Sequence, residues 1–235
     1  MMTAGQISLG LLTQTRLVEI GLHLRVLPTL EVREFTVRTA EWIRVSFTQP
    51  FSRDPVVVVA PTKGKGPAAI RVRKITTTGF SAIIAKPPKS GKVEPGQSDE
   101  SMQVSYLAVL PGVHELNGVW MEAGRTNTKD VKFGKKCSPA GLKQDPWGEI
   151  EETRFEHTFT RPPALLTTIQ TVNNEKGLPS NSRPWLTVAV QRVNEDSTKV
   201  ALERSETTEY GKVDEREKVG WIAIEQGIHT LLGST

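Results

Sequence analysis

The 235-residue chain is long enough for one large β domain or two of ordinary size, and its 37% apolar and 24% charged content is that of a globular protein. A net charge of +4 from 30 basic and 26 acidic residues, largely interspersed, is a mixed solvated surface rather than a polyanion-binding stripe, so nucleic acid is not an expected partner. The single cysteine, Cys137, excludes an intrachain disulfide, and without an apolar run of about 18 residues or a basic-then-apolar leader the chain is expected neither to insert in a membrane nor to be Sec-exported.

In chain order, Val18, Ile20, Leu22, Leu24 and Val26 alternate with Glu19, Gly21, His23 and Arg25, the period of a half-buried strand. "WIRV" follows from Trp42, then "FSRDP" (Phe51 to Pro55) leading into "VVVVA". "IRVRKITTTGFSAIIA" (Ile70 to Ala85) contains two β-branched runs around a turn. After the Pro/Gly-rich "KPPKSGKVEPGQSDES" comes "VSYLAVLPGVHEL", Val104 to Leu116. From there the chain repeats itself. "WMEAG" (Trp120 to Gly124) answers "LVEIG" (Leu17 to Gly21), and "WGEI" from Trp147 answers "WIRV". "FTRPPALLTTI" from Phe159 answers "FSRDPVVVVA", and "LTVAVQRVNEDSTKVALE" from Leu186 answers the Ile70 block. "VGWIAIEQGIHTL" from Val219 answers Val104 to Leu116, with five of thirteen positions identical.

Matching blocks in one order, with offsets that drift between 103 and 118 residues, describe a tandem duplication with insertions in its loops. The expected units are residues 1–117 and 118–235, each with about six short strands separated by turns, which favours an all-β fold of two antiparallel β-sandwiches. No segment carries a helical period. The loop "TKDVKFGKK", with Lys129, Lys132, Lys135 and Lys136, could meet an anionic surface. The adjacent prolines Pro162 and Pro163 suggest a strand at a sheet edge, because proline cannot donate to a central ladder.

The runs "FTRPPALLTTIQTVNN", "WLTVAVQRVNEDSTKVALE" and "VGWIAIE", with "FSRDPVVVVA", "ITTTGF" and "VSYLAV" in the first copy, resemble the H-type lectin domain. The resemblance implies two tandem six-stranded antiparallel β-sandwiches, a homotrimer, and sugar binding at clefts between protomers. The family's sugar-contacting Arg falls at Pro67 in the first copy and at Trp185 in the second, and its ligand-contacting His falls in "PPKS" and near Glu206.

Sugar recognition without a metal needs a planar group to stack on the ring and amides or carboxylates to pair with hydroxyls. The second copy's loops offer Asn173, Asn174, Arg183, Trp185, Arg204 and Tyr210; Trp185 is equally readable as a core or inter-domain residue. Trp42, Trp147 and Trp221 read as framework. His114 and His229 share one repeat position and read as hydrogen-bonded framework residues, so no zinc site is expected. No nucleophile elbow, zinc-protease motif or phosphate loop is present, and the carboxylates Glu203, Glu206, Glu209 and Asp214 read as a solvated loop, so no enzyme and no cofactor are expected. Two functions remain. One is a virion component, in a tail, fibre or spike, contacting host-surface glycans; the other is a structural assembly protein bound to other virion proteins. Either places the chain on a virion or extracellular surface.

Overall fold

The computed structural model describes residues 27–38, 41–63, 68–85, 101–131, 150–175, 177–178, 184–204 and 213–227. Among these residues the chain is all strand and turn. The strands are β1 (Leu30–Arg38), β2 (Ile43–Ser46), β3 (Val56–Lys63), β4 (Ala69–Thr76), β5 (Gly79–Ala85), β6 (Ser101–Val109) and β7 (Gly112–Leu116). They continue as β8 (Val119–Thr128), β9 (Glu152–Arg154), β10 (Ala164–Ile169), β11 (Leu186–Gln191), β12 (Ser197–Arg204) and β13 (Glu217–Ile224). The strand expected at Val18 to Val26 lies outside the described residues.

The strands form four antiparallel sheets, ordered β1-β6-β3, β2-β5-β4, β10-β13-β8-β7 and β11-β12-β9. The last two repeat the first two: β13 lies between β8 and β10 as β6 lies between β1 and β3, and β12 between β9 and β11 as β5 between β2 and β4. Strand β7, whose counterpart position in the first set falls outside the described residues, is hairpinned to β8 through Asn117 and Gly118, whose φ values of 54° and 80° suit a two-residue turn of the primed type.

The register repeats as well. Val109 of β6 faces Leu30 and Val56; Ile224 of β13, 115 residues on, faces Met121 and Ala164. The Phe47 and Phe51 amides donate to Thr78 and Thr77 carbonyls at 3.0 and 2.9 Å; those of Phe155 and Phe159 donate to Asp196 and Glu195, both at 2.8 Å. Lys74 and Arg192, 118 residues apart, both take the left-handed conformation, at φ 51° and 53°, where β4 and β11 leave their ladders.

Two sequence matches are displaced by this pairing. Because Ser46 faces Gly79 and Arg154 faces Ser197, Trp42 corresponds to Ile150 rather than to Trp147. The counterpart of Glu122 is Glu31, on a strand the block comparison passed over; "LVEIG" lies outside the described residues. Identical tryptophans outweighed the true register because β2 and β9 are only four and three residues long, and the shared Glu-x-Gly did so because β1 and β8 have little in common beyond one glutamate.

Packing is sandwich-like. One core takes Val37, Val45, Val57, Val72, Phe80, Ile84, Val104 and Tyr106 from both sheets of the first set. Its aromatic rings meet edge-on, Phe80 with Tyr106 at 5.3 Å and Phe47 with Phe51 at 4.9 Å, and each such ring fully buried contributes about 1.5–3 kcal/mol. In the second set Phe155 and Phe159 repeat the edge-on pair at 5.7 Å beside Trp221, while Ile169, Leu186, Val200, Leu202 and Val219 form a neighbouring cluster.

Candidate functional site

Three groups of polar side chains are buried or tied down, and each has a structural partner. The first is the repeated glutamate. Glu31 accepts the Thr48 amide at 2.9 Å and the Tyr106 hydroxyl; Glu122 accepts the amides of Glu156 and His157 at 3.0 and 2.9 Å. Thr48 and Glu156 are themselves counterparts, so the same carboxylate closes the same turn twice. Burial, then the hydrogen bond to Glu31, pushes the Tyr106 phenol well above the usual tyrosine range. These carboxylates hold backbone rather than facing one another across a cleft.

The second group contains the loop residues singled out for ligand contact. Glu217, at the start of β13 and fully buried, receives the backbone amides of Asn173 and Asn174 and the Thr171 hydroxyl. Asn174 donates through Nδ2 to the Glu215 carbonyl and to Glu217 Oε1, and its Oδ1 accepts the amides of Asp214 and Glu215. All four hydrogen-bonding positions of that amide are therefore used inside the chain. Asn173 spends its Nδ2 on the Arg216 carbonyl at 2.7 Å. Arg204 ends β12, half-buried opposite Leu186. Arg183 and Tyr210 lie outside the described residues.

Trp185 belongs to the third group, which joins the two sets of strands. Its Nε1 donates to the Ala85 carbonyl at 3.2 Å, across to the end of β5. Beside it, Arg71 of β4 is buried in an ion pair with Glu175, with Nη2 to Oε1 at 2.7 Å; Arg71 also donates to the Leu186 carbonyl, whose own amide donates to Glu175 at 3.1 Å. The Arg71 guanidinium lies 5.9 Å from the Trp185 ring centre. Such a pair adds little net stability while intact, because both charges leave water, but breaking it costs about 3–5 kcal/mol.

The rest of this seam runs along β3. Among the described residues that strand pairs only with β6, so its other edge is open within the described sheet. Side chains of the second set close it. Arg125 donates to the Asp54 carbonyl at 3.1 Å and to that of Pro55, Gln170 Nε2 donates to the Val57 carbonyl at 3.0 Å, and the Val59 amide donates to Thr168 Oγ1 at 3.1 Å. Arg125 Nε also donates to Gln170 Oε1 at 2.9 Å, which ties two of the three side chains together along the edge. Burial lowers the Arg125 pKa from that of a free guanidinium, with Asp54 opposing the shift. Gln170 lies so close over β13 that a Cβ on Gly220 would fall 1.9 Å from its Nε2. Under these side chains Val56, Val58 and Val109 pack against Met121, Ala123 and Ile222.

Sequence reading missed Arg71, Arg125, Thr168, Gln170 and Glu175. A signal existed in the arginine set inside the apolar run "AIRV" and in the bare Gly220 of an otherwise bulky strand; the partners, about a hundred residues away, left none. His114 donates through Nε2 to the Leu110 carbonyl at 2.7 Å, and His157 stacks on Trp120 with ring centres 4.5 Å apart. Among the described residues no three His, Cys, Asp or Glu side chains are grouped to hold a metal ion. Compared with known proteins, the chain matches no family model, no curated protein and no solved structure.

Proposed function

We propose that this protein is a non-enzymatic assembly module, two tandem H-type-lectin-like six-stranded sandwiches over residues 1–117 and 118–235, that forms part of a virion tail, fibre, spike or collar by binding other proteins. The observation that carries this reading is the seam: buried charge, a sealed strand edge and an apolar layer are all spent on holding one sheet pair against the next. Three such chains would supply six sandwiches, a form suited to a junction between three-fold and six-fold parts.

Adhesion to host-surface glycans is the second reading. It is supported by the resemblance and by Trp185, whose half-buried ring has its Nε1 engaged. A glycan array at high valency separates the two. No glycan signal, together with stoichiometric co-purification with particles, supports the assembly reading. Glycan binding that disappears in Trp185→Ala, while the variant still melts cooperatively, overturns it.

A further inference from the structure

The seam inside the chain is heterologous: β3 of the first set docks on β8, β10 and β13 of the second, and of the reciprocal surfaces the parts around Val32 and Leu166 are left over. The counterpart of β3 is β10, itself at a sheet edge, and the counterpart of the receiving face is the outer face of β1 and β6. Exposure follows this division. Val58 is 5% exposed and its counterpart Leu166 43%; Ala123 is 2% exposed and its counterpart Val32 63%. Among the described residues Leu166 and Val32 are thus the large exposed apolar side chains of the strands, and each stands where its counterpart is buried in the seam. Charge is exchanged in the same sense. Arg125, which binds the turn carrying Asp54, is replaced by Glu34, whereas Arg53 in that turn is matched by an exposed Arg161.

We infer that a second copy of this chain occupies these surfaces, the β10 face of one copy, with Leu166 and Arg161, seating on the exposed part of the β1 face of the next, with Val32 and Glu34. The contact repeats head to tail the one already made within the chain, and a heterologous contact of this kind generates a ring if its rotation closes and a filament if it does not. It does not depend on what the loops bind.

Complementation by two variants of the full chain tests it, read by sedimentation velocity and light scattering. Wild type is expected to form species larger than two chains at micromolar concentration. Val32→Glu and Leu166→Glu each abolish them, both being exposed positions whose variants should keep the wild-type melting curve. An equimolar mixture of the two restores one good contact, from the intact Leu166 face to the intact Val32 face, and gives a complex of two chains and nothing larger. A strictly single-chain wild type overturns the inference, as it would if residues 1–26 of the same chain covered Val32. So do single variants that assemble as wild type does, or a mixture that stays as single chains.

Discussion

Tyr106 and Trp221 hold the same place in their two sheets: Tyr106 faces Arg33 and Val59, and Trp221 faces Gly124 and Thr167. The difference lies in the ring and in what stands opposite. The indole lies over Gly124, where a Cβ would come within 2.2 Å of Cζ2.

Gly124→Ala should therefore overpack that site and cost about 1–3 kcal/mol in denaturant unfolding. Trp221→Tyr, which installs the smaller ring of the first set, should recover a good part of that loss in the double variant. If the two substitutions add independently, the ring is not what bars a side chain at 124.

The Tyr106 hydroxyl gives a pH dependence. Its pKa is raised by burial and by Glu31, so the folded chain keeps a proton that an unfolded tyrosine loses near pH 10. The stabilisation is complete below about pH 10 and is lost as pH rises beyond it. Of the two tyrosines, Tyr210 and Tyr106, the latter should show phenolate absorbance only as the chain unfolds. Tyr106→Phe should flatten the alkaline decline and cost about 1.5–3 kcal/mol at neutral pH, the worth of a hydrogen bond to a charged group. A Tyr106 that titrates like a free phenol in folded protein contradicts the buried contact.

Arg71→Ala and Glu175→Ala should each lower stability by about 3–5 kcal/mol, since either breaks a buried ion pair by removing one partner. Arg71→Met combined with Glu175→Leu should recover most of that, because two apolar chains of similar size replace the pair without an orphan charge. Thermal melts of the four proteins decide it: a double variant as weak as the singles would show that geometry, not charge burial, sets the loss.

Asn174→Ala removes the amide that closes the 171–174 turn onto Glu215 and Glu217, leaving the Asp214 and Glu215 amides without their acceptor. A loss of about 1–3 kcal/mol is expected, measured by chemical unfolding. Unchanged stability would return Asn174 to the pool of free loop residues.

The all-β character was legible because it depends on local period: the alternation in "VSYLAV" and the β-branched "TVAV" and "SAIIA" runs are strands in the structure. The matches at Val104 with Val219, Phe51 with Phe159 and Ile70 with Val188 lie in register. What failed was the first strand. β1 and β8 share little beyond Glu31 and Glu122, because Val32, Arg33 and Glu34 are answered by Ala123, Gly124 and Arg125, the residues that receive the first set or make room for Trp221. The seam was illegible for a related reason. Thr168, Gln170 and Arg125 close an edge more than sixty residues away in sequence, and no periodicity records which edge a side chain will reach.

That closed edge bears on how the protein fails. Val56 to Val59 is an uncharged run of four valines, the sort of segment that stacks readily with copies of itself when its backbone is bare. Here the cover consists of three side chains, not a neighbouring strand, so a small parting of the two halves would uncover the whole run at once. Heating the protein should end in fibrous precipitate before either half has melted, and sequence changes at Arg125, Thr168 or Gln170 will be felt first as shelf life.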